Sequence, residues 1–183
     1  MIFLELVNNR RSIRSYSDKE VPREKIEACL EAARLSPSAC NAQPWSFIVV
    51  DDKQLKDELA CNAFSGIYAM NAFAARAPVL IAVITEKSKL SAQFGGLIRQ
   101  TEYSRIDIGI ACEHLILQAV EEGLGTCWIG WFNEAHVKKT LRIPNHKKID
   151  VMLCLGYPDY KALEEQQRKS LDEIRSYNRE KNT

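Results

Sequence analysis

Residues 103–132 read YSRIDIGIACEHLILQAVEEGLGTCWIGWF, and this stretch decides the fold. A long helix is predicted over 103–122. Ile108, Cys112, Leu115 and Ala119 share one side, while Ile106, Ile110 and Leu117 lie elsewhere around it. A helix that is apolar on most sides must be buried on most sides. One chain of 183 residues has too little other material to cover it, so a second subunit is expected over part of its surface. Gly123 and Gly125 end the helix, and a strand is predicted at 127–129.

Working outward, residues 78–85 form the clearest strand. Its VLIAVIT run is continuous and rich in β-branched residues, which predicts burial on both faces. Residues 46–50 and 149–155 read as further strands. Short helices are predicted at 2–9 and 133–141. Pro22 opens another helix at a favourable early position, with Ile26, Cys29, Leu30 and Ala33 at helical spacing and Ser36-Pro37-Ser38 closing it. Asp51 and Asp52 lead into a helix through Leu55 and Leu59. The tail, 163–181, reads as a charged helix with sparse apolar residues. The order is α+β without a regular βαβ rhythm, and nothing resembling a linker or repeat divides 1–183 into more than one domain.

Composition narrows the function. Hydrophobic residues make up 46% and charged residues 27%, with a net charge of +1, so no global field favours nucleic acid or an acidic membrane surface. No apolar run approaches the roughly 20 residues that span a bilayer. The start, MIFLELVNNRR, lacks the order of charge, apolar core and cleavage site of a signal peptide. None of the six cysteines sits at C-x-x-C spacing, so reduced structural thiols in a cytoplasmic protein are expected, with no metal site. The dinucleotide, P-loop, G-x-S-x-G and H-E-x-x-H motifs are missing. His114 reads as a core residue, and His136 and His146 as surface positions.

Three segments could carry chemistry. In Arg10-Arg11-Ser12-Ile13-Arg14, an extended backbone puts Arg10, Ser12 and Arg14 on one side and Ile13 on the other. Guanidiniums flanking a hydroxyl can cradle a phosphate and polar ring atoms, and the plain alternative is a solvated basic stretch. Residues 36–45, SPSACNAQPW, offer neutral hydrogen-bonding groups suited to a planar heterocycle, or simply a helix-to-strand turn. In GLGTCWIGWF, 123–132, glycines allow close backbone approach to a ligand, and the three aromatics either stack or fill the core.

Taken in order, RRSIRSY, SPSACNAQPWSFIVV, ARAPVLIAV, DIGIACEHLILQAVEEGLGTCWIGWF, LGYPDY and QRKSL resemble the nitroreductase family over nearly the whole chain. The resemblance implies an α+β sandwich, with a mostly antiparallel sheet flanked by helices. It also implies a homodimer built on long central helices, with FMN at the subunit interface. It carries cofactor contacts to Arg10, Arg11, Ser12 and Arg14, and to Pro37, Ser38, Asn41 and Gln43 from the partner's loop. Further contacts fall on Asn71, on Ile129 and Gly130, and on Arg168 at the phosphate. No side-chain acid or base is implied, because the flavin carries the chemistry. NADH or NADPH donates hydride, and a nitroaromatic or quinone accepts it in a ping-pong cycle. Arg14 and the Gly130 amide tune the flavin. The same fold also admits flavin-dependent dehydrogenation, dehalogenation or flavin cleavage, and a non-catalytic FMN-binding protein.

Overall fold

The computed structural model describes residues 2–86, 101–159 and 167–179. A four-stranded antiparallel sheet forms its centre, in the order β1-β2-β4-β3, from β1 (Trp45–Val50), β2 (Val79–Thr85), β3 (Gly125–Ile129) and β4 (Lys148–Gly156). The VLIAVIT strand is buried on both faces, as its composition requires. Leu80, Ala82 and Ile84 join one core cluster, and Val79, Ile81 and Val83 join the other. In β4 the alternation breaks once. Val83 pairs with Val151 but Ile84 pairs with Ile149, so Asp150 is an extra residue. That bulge lets Ile149 share a face with Met152 and Cys154.

Helices cover both faces. On one side lie α2 (Arg23–Arg34) and the long α4 (Tyr103–Glu121). On the other lie α3 (Lys53–Ala63), a run of 3₁₀ turns at Gly66–Arg76, and α5 (Glu134–Thr140). Local chemistry starts the short helices: the Asp52 carboxylate accepts from the Leu55 amide at 2.8 Å, and Asn133 Oδ1 accepts from the His136 amide at 3.1 Å. The first helix, α1 (Phe3–Asn9), buries none of its residues in this chain.

The helix α4 buries Ile108, Cys112, Leu115 and Ala119 as expected, together with Asp107, Ala111 and Ile116. Its other side stays open: Ile106 is exposed, and Ile110 and Leu117 are half-buried. The tail departs from expectation. Residues 160–166 and 180–183 lie outside the described residues, and among the rest of 163–181 only Leu171–Ile174, α6, is helical. Leu171 and Ile174 are both exposed there. A tail with no face to bury lacks the packing that sustains a helix beyond one turn. The 3₁₀ run at Gly66–Arg76 was not anticipated, because its apolar residues follow neither the strand period nor the helix period.

Candidate flavin site

The arginine strip lies alongside β3. Ile13 donates its amide to the Thr126 carbonyl at 2.8 Å, and Ser12 forms a parallel bridge with Thr126. Ile13 turns inward and is 5% exposed, which sends its neighbours outward. Gly125 makes the approach possible: a Cβ there would stand 2.5 Å from Ile13 Cγ1. The glycine serves the packing of one chain segment on another. Tyr16 closes the strip by donating its hydroxyl to the Ile13 carbonyl at 2.7 Å. Burial first, then the neighbouring Cys154 and Cys127, push the Tyr16 pKa well up, so the hydroxyl keeps its proton.

The three arginines face different surroundings. Arg10 approaches Glu113 of α4, Nε to Oε1 at 3.6 Å. Burial holds the Glu113 carboxyl above its usual pKa despite that arginine. Arg11 donates to the Asn8 and Arg10 carbonyls. It also lines, with Arg168, Glu5, Asn8, Leu4, Val7 and Leu171, a cleft of about 780 Å³. Arg14 is exposed, donates to the Ser12 carbonyl at 3.3 Å, and places its guanidinium 5.8 Å from the centre of the Phe73 ring.

The 37–43 loop is tied to α4. Cys40, Asn41 and Gln43 all hold positive φ, at 53°, 50° and 48°, a left-handed conformation that non-glycine residues adopt only when held. Several bonds hold it. The Ala39 amide donates to Asp107 Oδ1 at 3.0 Å, the Gln43 amide to Ser38 Oγ at 2.9 Å, and Gln43 Nε2 to Asn41 Oδ1 at 3.0 Å. Ser36 Oγ meets His114 Nδ1 at 2.8 Å, which gives the ring a partner, but His114 is half-buried and not the core residue expected. Pro37, Asn41 and Gln43 remain exposed and Ser38 half-buried. This is more than a turn between a helix and a strand.

At the end of β3, Ile129 is buried and Gly130 is exposed, with open space where a side chain would stand. Phe132 packs inward, whereas Trp128 and Trp131 are exposed. Asn71 lies in the 3₁₀ run and donates Nδ2 to the Trp131 carbonyl at 2.8 Å. Arg14, through Phe73, and Gly130, through Trp131 and Asn71, therefore rest on one support. Arg11 and Arg168 share the cleft beside α1.

The sequence reading missed Glu113, Asp107 and Phe73, and it took Gly125 for a helix end or a point of ligand approach when the close neighbour is Ile13. Of these, Asp107 had a signal: it is a single acid inside an apolar run, 3% exposed, and its Oδ2 has no hydrogen-bond partner among the described residues. The cysteines are free: Cys29, Cys112, Cys127 and Cys154 are buried, and Cys40 and Cys61 exposed. Burial pushes Cys29 and Cys112 up to about 12, which makes them inert thiols. His146 is exposed as expected, but His136 is half-buried, its ring 3.2 Å from Thr140 Oγ1.

A strip of arginines therefore lies on β3 of an α+β sandwich, beside an open glycine at the end of the same strand. The chain belongs to the nitroreductase family, whose model matches residues 7–157, and it is an oxidoreductase of that family. It is 35% identical over 159 residues to an Archaeoglobus fulgidus protein named, provisionally, an NADH dehydrogenase/NAD(P)H nitroreductase. That match covers 85% of this chain and 84% of that protein. It is 31% identical to mouse iodotyrosine deiodinase 1 over 94% of this chain and 68% of that protein. Among solved structures it resembles an FMN-dependent nitroreductase from Clostridium difficile R20291, with a TM-score of 0.74 and 28% identity. That match covers 96% of this chain and 99% of the other.

Proposed function

We propose that the chain, one domain over 1–183, is an FMN-dependent oxidoreductase. In this reading it passes reducing equivalents from NADH or NADPH to an electron-poor acceptor such as a nitroaromatic or quinone. The carrying observation is the Arg10–Arg14 strip, laid on β3 with Gly130 open at the end of the same strand. The donor set fits the cofactor: guanidiniums for a phosphate and an electron-rich carbonyl edge, neutral Ser, Asn and Gln groups for ring atoms, and an exposed backbone amide. The cleft shared by Arg11 and Arg168 also falls within the range of about 300–1,000 Å³ usual for ligand sites.

When bound, FMN supplies the two-electron carrier between the nicotinamide and the acceptor. The chain's residues do the rest. Arg10, Arg11, Ser12 and Arg168 hold the phosphate end. Arg14 sets positive charge near the pyrimidine edge, which favours the reduced cofactor. Gly130, with Ile129 buried behind it, presents its amide with no side chain in the way. Pro37, Ser38, Asn41 and Gln43 reach the cofactor of a partner subunit, and Asn71 supports the ring pocket.

Homodimerisation belongs to this reading. The open side of α4 (Ile106, Ile110, Leu117), the exposed Ile2, and the exposed Phe3, Leu4 and Val7 of α1 make an apolar surface that a second copy would cover. Free thiols at all six cysteines suit the reducing cytoplasm.

The test is purification, a visible spectrum and an anaerobic acceptor screen. A yellow dimer that releases FMN on denaturation and oxidises NADH or NADPH is expected. Colourless protein that takes up no added FMN overturns the site. The deiodinase relative favours a second reading, reductive dehalogenation of an aromatic ring. Iodide released from iodotyrosine, with no nitro or quinone reduction, would establish it.

A further inference from the structure

Trp131 follows Gly130 and is 51% exposed, yet it is held from three directions. Asn71 Nδ2 donates to its carbonyl at 2.8 Å, its indole N–H donates to the Ile67 carbonyl at 2.9 Å, and the Tyr68 ring lies 5.2 Å away, tilted by 51°. All three partners belong to Gly66–Arg76, so hydrogen bonds cross between the two segments in both directions.

Scattered surface aromatics need no explanation. This one differs because it is fixed, it adjoins the proposed cofactor amide, and its indole N–H is already used on Ile67. What remains to a ligand is the π face of the indole, with a second ring inclined to it. Such a surface selects by shape and ring electronics rather than by hydrogen bonds, and an electron-rich indole pairs best with an electron-poor ring. The same 3₁₀ run carries Phe73 beneath Arg14, so the cation and the aromatic pair are placed by one element.

We infer that Tyr68 and Trp131 form the wall on which the electron acceptor docks, and that this wall selects planar, electron-poor aromatic acceptors over small inorganic ones. Asn71 is the positioning residue that holds Trp131 in place. The inference rests on the reading of the site as a flavin oxidoreductase.

The test compares the parent holoenzyme with Trp131→Leu, Trp131→Phe and Tyr68→Leu. One readout is the ratio of kcat/KM for 1,3-dinitrobenzene to that for ferricyanide. A second is equilibrium dialysis of 1,3-dinitrobenzene without nicotinamide. Loss of one stacking ring should lower the ratio about three- to tenfold in Trp131→Leu, with a matching rise in the dialysis Kd. Trp131→Phe, which keeps a ring but loses the donor, should recover most of both, and Tyr68→Leu should show a smaller loss of the same sign. Asn71→Ala should lower the ratio in the same direction. A ratio and Kd in folded Trp131→Leu and Tyr68→Leu within twofold of the parent overturn the wall. If the parent oxidises neither nicotinamide with any acceptor, the activity reading fails. The dialysis comparison then decides the wall by itself.

Discussion

The Asp107 carboxylate, buried in α4, accepts a hydrogen bond from the Ala39 amide at 3.0 Å, joining residues 68 positions apart. This bond attaches a loop with three left-handed residues to the longest helix of the fold. Removing the acceptor leaves a partly buried N–H unpaired, which costs about 1–3 kcal/mol. In a chain of this length that corresponds to roughly 3–10 °C in melting temperature. Asp107→Ala should therefore melt lower and bind FMN more weakly, because the 37–43 loop loses its anchor. Asp107→Asn keeps an acceptor and should regain most of both. Thermal melts and FMN titrations decide it, and a melt of Asp107→Ala equal to the parent's would show that the bond anchors nothing.

Arg14 and Arg168 divide the work of the proposed site. Arg168 lies in the cleft beside α1, whereas Arg14 stands over Phe73 near the end of β3. A charged hydrogen bond lost at the phosphate costs about 1.5–3 kcal/mol. Arg168→Ala should thus release FMN some tenfold to hundredfold more easily, yet take up hydride normally once saturated. Arg14→Ala should lower the flavin's reduction potential and slow hydride uptake. Stopped-flow reduction of FMN-saturated variants separates the two. Slow hydride uptake in Arg168→Ala with an unchanged Arg14→Ala would reverse the assignment.

Glu134 contributes a pH-dependent tie between α5 and β4. Partial burial works against its charge, but hydrogen bonds from Lys148, Lys138 and the Ile149 amide hold it at about 2. The Ile149 amide is 3.0 Å away and Lys138 Nζ 2.9 Å. A carboxyl with a lowered pKa in the fold stabilises above its ordinary value of 4.5, and that stabilisation is lost as pH falls towards about 2. Glu134→Gln should be less stable than the parent by about 1–2 kcal/mol at pH 7. The gap should close between pH 4.5 and about 2, which denaturant melts across that window will show. A gap that stays constant down to pH 2 would exclude the ionic origin.

Thiol labelling reports on the 37–43 loop. Cys40 lies in that loop and Cys61 on α3, both exposed, while the other four cysteines are buried. Native protein should react at these two thiols, and all six should react in denaturant. If the loop reaches a partner subunit's cofactor, FMN should slow labelling at Cys40 and leave Cys61 unchanged. Mass mapping of the labelled peptides with and without FMN checks this, and equal rates at Cys40 would count against the loop assignment.

Where apolar period and local caps decide, the chain alone determined the element. The VLIAVIT run had to be a doubly buried strand, and Asp52 and Asn133 had to start helices. The order of the arginine strip, the SPSACNAQPW loop and the glycine–aromatic run was equally readable, since each is contiguous. Only tertiary structure decided what each segment faces. Gly125 is small because Ile13 crosses it, the loop's strain is held by an acid on a distant helix, and Asn71 meets Trp131 from 60 residues away. The tail's charge pattern suggested a helix, but with nothing to bury against it only Leu171–Ile174 forms among the described residues. Periodicity records how a segment meets the core as a whole, whereas a hydrogen bond between remote residues leaves no period in either of them.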